Sequence, residues 1–291
     1  MSERPIVVVG AEGTGQSEGA VNAAIGLARD LSAELHLVYA LHGRGSEAEG
    51  ADERAVKALR LWLEGHLSGA RLEELEATPR VLVKHGHPAQ VLVEYAADVS
   101  AALLVLGEHR RRGLVDFGST AAAATAHAGC PVWCQTGPVR ETRRILVPTD
   151  FSPESDRAIA LATAWAKRLG ASVVLMNVFQ SPELLLGADE HVVGPTYVVD
   201  QVRDEARAQL EACVSGHDFD GVPHEGRFVE GDPRSAIVEN LGDADLVVMG
   251  THGRTGLSAF VLGSATRAVL RNCPIPVVVT RSGDGARAWQ L

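Results

Sequence analysis

Several things are scarce in this 291-residue chain, and each scarcity removes a class of explanation. Aromatic residues make up only 4%, so the cores must be assembled mainly from Ala, Val and Leu. No run of 18 or more apolar residues occurs, the length a membrane-spanning helix requires. The start, Met1 to Arg4, lacks the apolar stretch of a secretion signal, so the expected compartment is the cytoplasm. Cations are outnumbered, with 27 Lys and Arg against 37 Asp and Glu, for a net charge of −10. General affinity for nucleic acid needs clustered cations and is not expected. The four cysteines, Cys130, Cys134, Cys213 and Cys273, form no Cys-x-x-Cys pair and read as buried free thiols. The 11 histidines are scattered, without His-x-x-x-His on a helix, and suggest no metal site. Also missing is Gly-x-x-x-x-Gly-Lys-Ser/Thr, and with it the lysine and Mg²⁺-binding hydroxyl of a P-loop.

What is present is a duplication. Arg4 to Glu12 reads against Thr142 to Asp150 at an offset of 138, and the offset continues through Ser17 on Ser155, Ala20 on Ala158 and Leu31 on Leu169. Further on, Gly86-His87-Pro88 matches Gly231-Asp232-Pro233, and Leu103 to Gly107 matches Leu246 to Gly250. A period near 140 residues is too long for a solenoid unit and means duplicated whole domains. Gly137 and Pro138 punctuate the join, giving expected domains of 1–138 and 139–291.

Each copy alternates strand and helix. In the second, Arg144 to Pro148 is a short apolar run suited to a strand buried on both faces. Ser155 to Leu169 then carries Ala158, Leu161, Ala162, Trp165 and Leu169 at helical spacing, with Asp150 and Ser152 offering oxygens at the preceding turn. Strands are expected at Ser172 to Val178, Gly226 to Glu230, Leu246 to Met249 and Pro276 to Thr280, with helices between them. Five strands alternating with four helices predict two tandem α/β domains, each a doubly wound, five-stranded parallel sheet.

Ligands of such sheets sit beyond the carboxyl ends of the strands, where strand order reverses. Two segments of the second copy carry suitable chemistry there. One is Pro148-Thr149-Asp150-Phe151-Ser152; the other runs from Gly250-Thr251-His252-Gly253-Arg254 to Gly263-Ser264 and a helix. Glycines let backbone approach phosphate oxygens, the helix start presents N–H groups to an anion, and Asp150 suits sugar hydroxyls. The plain alternative is that these glycines only make turns.

These residues resemble the universal stress protein family in its tandem form. The family's ATP-binding signature is Gly, two residues, Gly, nine residues, then Gly-Ser or Gly-Thr, and Gly250, Gly253 and Gly263-Ser264 match it. The resemblance implies a Rossmann-like strand order of 3-2-1-4-5 and ATP, with Mg²⁺, as the cofactor. It implies Pro148, Thr149, Asp150, Val178, Gly250, His252, Gly253, Arg254, Gly263 and Ser264 as the binding residues. Asp150 and the backbone near Val178 would hold the nucleoside, and Gly253, Gly263 and Ser264 the phosphates. It also implies that the halves pair internally through their last strands, Pro131 to Gln135 meeting Pro276 to Thr280.

The first half departs from the pattern. Arg110 stands where the second glycine belongs, only seven residues separate it from Gly118-Ser119, and Glu12 replaces Asp150. Its site reads as degenerate, with Arg110-Arg111-Arg112 as a solvated loop. Function is therefore expected to be that of an ATP-binding regulator in the stress response. A slow ATPase and a ligand-independent scaffold stay open, as do a homodimer and an unknown protein partner. The stretch from Ser181 to Thr196 is open between a lid, a partner site and a plain surface loop.

Overall fold

A strand covered on both faces must be apolar at every position, and Val7–Val9, Leu103–Leu106, Ile145–Val147 and Leu246–Met249 meet that condition and are buried throughout. The computed structural model describes residues 4–11, 17–42, 50–66, 78–107, 109–111, 114–116, 119–181, 196–251 and 262–281. The first half runs β1 (Ile6–Gly10), α1 (Glu18–Asp30), β2 (Glu34–Leu41), α2 (Ala51–His66), β3 (Arg80–His85), α3 (Pro88–Asp98) and β4 (Leu103–Gly107). It continues with β5 (His109–Arg111), β6 (Leu114–Asp116), α4 (Ser119–His127) and β7 (Val132–Gln135). The second half runs β8 (Arg144–Pro148), α5 (Pro153–Leu169), β9 (Ser172–Phe179), α6 (Thr196–Gly216), β10 (His224–Glu230), α7 (Pro233–Glu239), β11 (Leu246–Gly250), α8 (Ser264–Asn272) and β12 (Val277–Thr280). No described helix is long and apolar enough to cross a membrane.

Ten of the strands form one sheet in the order β10-β9-β8-β11-β12-β7-β4-β1-β2-β3. Each half thus contributes the expected order 3-2-1-4-5, all parallel, and the two fifth strands meet. That meeting is antiparallel, with Val277 opposite Cys134, Val278 opposite Trp133 and Val279 opposite Val132. Pairing β7 with β12 covers two edges that would otherwise present bare backbone. The antiparallel seam also points the carboxyl ends of the strands of the two halves in opposite directions. Helices α1, α2, α5 and α6 build one core layer, and α3, α4, α7 and α8 the other. Both layers run across the seam, where the Trp133 and Trp165 rings lie 5.7 Å apart and Arg281 Nη1 donates to the Ala126 carbonyl oxygen at 2.5 Å.

One element differs from the sequence expectation. The arginine run of the first half is not a plain loop: β5 pairs antiparallel with β6, Arg110 opposite Val115, as a separate two-stranded ribbon. Its strands, His109–Arg111 and Leu114–Asp116, are three residues each, too short to carry the periodicity that reveals core strands. All four cysteines are free, but Cys213 is half-buried rather than buried as expected. Cys130, Cys134 and Cys273 are buried, and burial pushes Cys134 up to about 12 and Cys273 to about 11.

Candidate functional site

Strand order reverses between β8 and β11, which pair directly through Leu246 opposite Ile145 and Val247 opposite Leu146. The turn after β8 and the end of β11 therefore stand side by side, and the first of these is built from buried polar groups. Thr149 N–H donates to the Met176 carbonyl at 2.8 Å, extending the β8–β9 ladder by one residue. The chain then turns at Phe151, whose φ of 63° lies in the left-handed region that side chains rarely adopt. Its ring packs against the core, and its N–H donates to Thr149 Oγ1 at 3.1 Å, which holds the turn in place. Ser152 caps α5, accepting the Ser155 N–H at 3.3 Å, and Pro153 follows in the first turn.

Asp150 sits on this turn, half-buried. Its Oδ1 accepts the Ser152 hydroxyl at 2.6 Å and the Ser152 N–H at 3.2 Å. Beside it on β9, Asn177 donates through Nδ2 to the Thr149 carbonyl at 2.9 Å. Together these groups form one wall of a cleft of about 380 Å³, lined by Asp150, Asn177 and Val178 on the strand side and by Val202, Glu205 and Gln209 of α6 opposite. Val202 is 41% exposed, an apolar side chain left uncovered at the cleft. The volume lies in the range of small-molecule sites, and the walls mix apolar surface with a few polar groups as such sites do.

On the β11 side, a Cβ on Gly250 would lie 3.0 Å from Glu154 Cβ and 3.2 Å from its backbone carbon, in the first turn of α5. Glycine is needed there for close packing of strand and helix, a role the spacing of glycines did not reveal. The start of α8 is tied back to the same strand end: Thr266 Oγ1 donates to the Gly250 carbonyl at 2.9 Å, and Gly263 N–H to the Thr251 carbonyl at 2.8 Å. The N–H groups of Ser264, Ala265 and Thr266, in the first turn, have no acceptor within the helix. Ser264 is exposed.

The structure thus brings Asp150 and Val178 to one cleft, leaves Pro148 at the end of β8 and Thr149 buried behind the turn, outside the cleft lining, and sets Gly250, Gly263 and Ser264 on the neighbouring strand end and helix start. His252, Gly253 and Arg254 lie outside the described residues, as does most of the stretch from Ser181 to Thr196. Asn177, Ser155 and the α6 residues were not foreseen. The available signal was a lone Asn in the otherwise apolar run Val173 to Phe179.

Fold and site together define a tandem, doubly wound α/β protein with a cleft at the carboxyl ends of β8 and β9 in its second half. The universal stress protein family model matches residues 3–134 and again 141–281. A universal stress protein of Mycobacterium bovis is 31% identical over 205 residues, covering 67% of this chain and 66% of its own length. The chain therefore spans slightly less than two thirds of that relative. Another, from Methanocaldococcus jannaschii, is 33% identical over 143 residues, or 48% of this chain and 82% of its own. The solved structure of a universal stress protein from Archaeoglobus fulgidus has the same fold, with a TM-score of 0.68 over 96% of this chain and 98% of that one at 17% identity. This chain belongs to the universal stress protein family.

Proposed function

We propose that the second half, 139–291, binds ATP and that the chain acts as a nucleotide-responsive regulator in the stress response. The first half, 1–138, carries a degenerate site in this reading. What carries it is one juxtaposition: Asp150 and Val178 line a single cleft at the ends of β8 and β9, and β8 pairs with β11, the strand that precedes α8, in the half whose sequence keeps Gly250, Gly253 and Gly263-Ser264. Val178 and Val202 suit the faces of a base, Asp150 the hydroxyls of a sugar, and the first-turn N–H groups of α8 a phosphate. Among the described residues no group of three or more His, Cys, Asp or Glu is placed to hold a metal ion. Mg²⁺ would then arrive with the nucleotide, held chiefly by its phosphates.

The reading is one of binding rather than turnover, with slow hydrolysis its upper limit. Calorimetric titration with Mg-ATP tests it, wild type beside Gly253→Arg, which writes the residue of Arg110 into the second half. Saturable binding that the substitution abolishes, with melting unchanged, is the expected outcome. A well-folded, nucleotide-free wild type that takes up no ATP would favour a ligand-independent scaffold instead.

A further inference from the structure

The duplication supplies an internal control for Thr149 and Asn177. Gly10 pairs with Val38 as Pro148 pairs with Met176, so Ala11 stands at the position of Thr149 and Tyr39 at that of Asn177. The backbone is the same in both: Ala11 N–H donates to the Val38 carbonyl at 3.0 Å, as Thr149 N–H does to Met176 at 2.8 Å. In the first half, then, the strand and its onward ladder bond form with no Thr and no Asn at these positions. Folding does not require them.

Yet the second half buries Thr149, Ser152, Ser155 and Asn177 each by more than nine-tenths, Ser155 alone among them matching a first-half counterpart seen buried in the same way, Ser17. Burying a hydroxyl or an amide is costly unless it is hydrogen-bonded, and here the bonds form one connected set. Asn177 Nδ2 donates to the Thr149 carbonyl at 2.9 Å, Thr149 Oγ1 to Ser155 Oγ at 3.0 Å, and Ser155 Oγ to the Ser152 carbonyl at 2.8 Å. The set ends at Asp150, where the Ser152 hydroxyl and N–H both reach Oδ1. Two donors on one oxygen hold the carboxylate in a single orientation at the cleft wall.

A carboxylate so held repels phosphate and accepts hydrogen bonds from neutral donors. Glu205, lining the same cleft from α6, adds a second negative group. The part of a nucleotide that suits this wall is its uncharged, hydroxyl-bearing sugar, with the phosphates directed toward α8. We infer that Ser152, supported by Thr149, Ser155 and Asn177, is a positioning residue for Asp150 and makes the second-half cleft selective for ribonucleotides over their deoxy counterparts. This rests on the nucleotide-binding reading above and specifies which chemical feature of the nucleotide the site measures.

The test is calorimetry on the full chain with Mg-ATP, Mg-2′-deoxy-ATP and Mg-2′,3′-dideoxy-ATP, using wild type, Ser152→Ala and Ser152→Thr, with melting curves for each. Wild type is expected to prefer ATP over the dideoxy form by roughly tenfold or more, the worth of a hydrogen bond to a charged group. Ser152→Ala removes most of that preference by weakening ATP alone, and Ser152→Thr, which keeps a hydroxyl, restores it. Equal weakening of all three nucleotides by Ser152→Ala would overturn the proposal, since loss of the helix cap acts without regard to the sugar. Equal wild-type affinity for the three would overturn it as well, while leaving nucleotide binding intact. Absence of binding by wild type to any of them removes the nucleotide reading itself, and this inference with it.

Discussion

In the first half, β1 ends on Gly10 and Ala11, and Leu92 and Leu106 crowd so closely that a Cβ on Gly10 would lie 2.9 Å from one and 3.3 Å from the other. In the second half, the equivalent strand β8 ends on Pro148 and Thr149, followed by a turn of bonded polar side chains facing a cleft. Both halves keep the strand order, the parallel register and the two core layers. The difference separates what the fold needs from what a ligand needs. Apolar strands, helix packing and the seam recur in both copies; Thr149, Asp150 and Asn177 occur in one.

The shared part breaks most easily at the seam. Val278 is fully buried opposite Trp133, so Val278→Lys places an unpaired charge where both halves meet, at a cost of about 4 kcal/mol or more. Denaturant titration should show both halves losing stability together; loss confined to the second half would mean the seam does not couple them. Next in size is Gly250→Ala, whose Cβ meets the Glu154 backbone at 3.2 Å and is expected to cost about 1–3 kcal/mol. Gly10→Ala should cost less in the same measurement, because what it meets are the ends of leucine side chains, which can move.

A smaller contrast lies at two equivalent helix starts. Asp232 caps α7 by accepting the Arg234 N–H at 3.0 Å, whereas His87, at the start of α3, makes no side-chain cap bond. Asp232→Ala should cost about 1 kcal/mol and His87→Ala almost nothing. Hydrogen bonds from the Arg234 side chain and N–H hold the Asp232 carboxyl below the usual carboxylate range. Its folded-state affinity for a proton is lowered, so its contribution is present above about pH 4 and fades as pH falls through the depressed value.

The mildest test concerns acid and the first half alone. His36 is buried on β2, where its Nδ1 meets Tyr95 OH at 2.9 Å and Glu34 lies 3.6 Å from Nε2; the apolar Val174 stands in its place in the second half. Desolvation lowers its affinity for a proton, opposed by Glu34 and aided by Arg80. The unfolded chain then binds more protons than the folded one as pH drops below about 6.5, and stability falls. Denaturant melts between pH 8 and pH 5 should show this slope in wild type and a flatter one in the double variant His36→Val with Tyr95→Phe.

Much of the fold was legible because its strands are covered on both faces and recur: Ile6 to Val9 against Arg144 to Val147, and Leu103 to Leu106 against Leu246 to Met249, cannot be mistaken for helices when turn residues bound them. Asp150, named from its place after the first strand, and Val178, named from the family resemblance, do line one cleft. The polar set around Thr149 and Asn177 was not legible, since a lone Asn in an apolar strand carries no periodic signal, and its partner, the Thr149 carbonyl, is backbone. The packing role of Gly250 depends on how near α5 comes to β11, a tertiary distance that no spacing encodes. The β5–β6 ribbon escaped because strands of three residues are too short to show a pattern.

A crystal structure of the full chain grown with Mg²⁺ and a non-hydrolysable ATP analogue tests the central claim most directly. The account predicts one nucleotide per chain, its sugar against Asp150, its base beside Val178 and its phosphates toward the start of α8. A nucleotide at the strand ends of the first half, or one in the second half with its phosphates against Asp150, would contradict it.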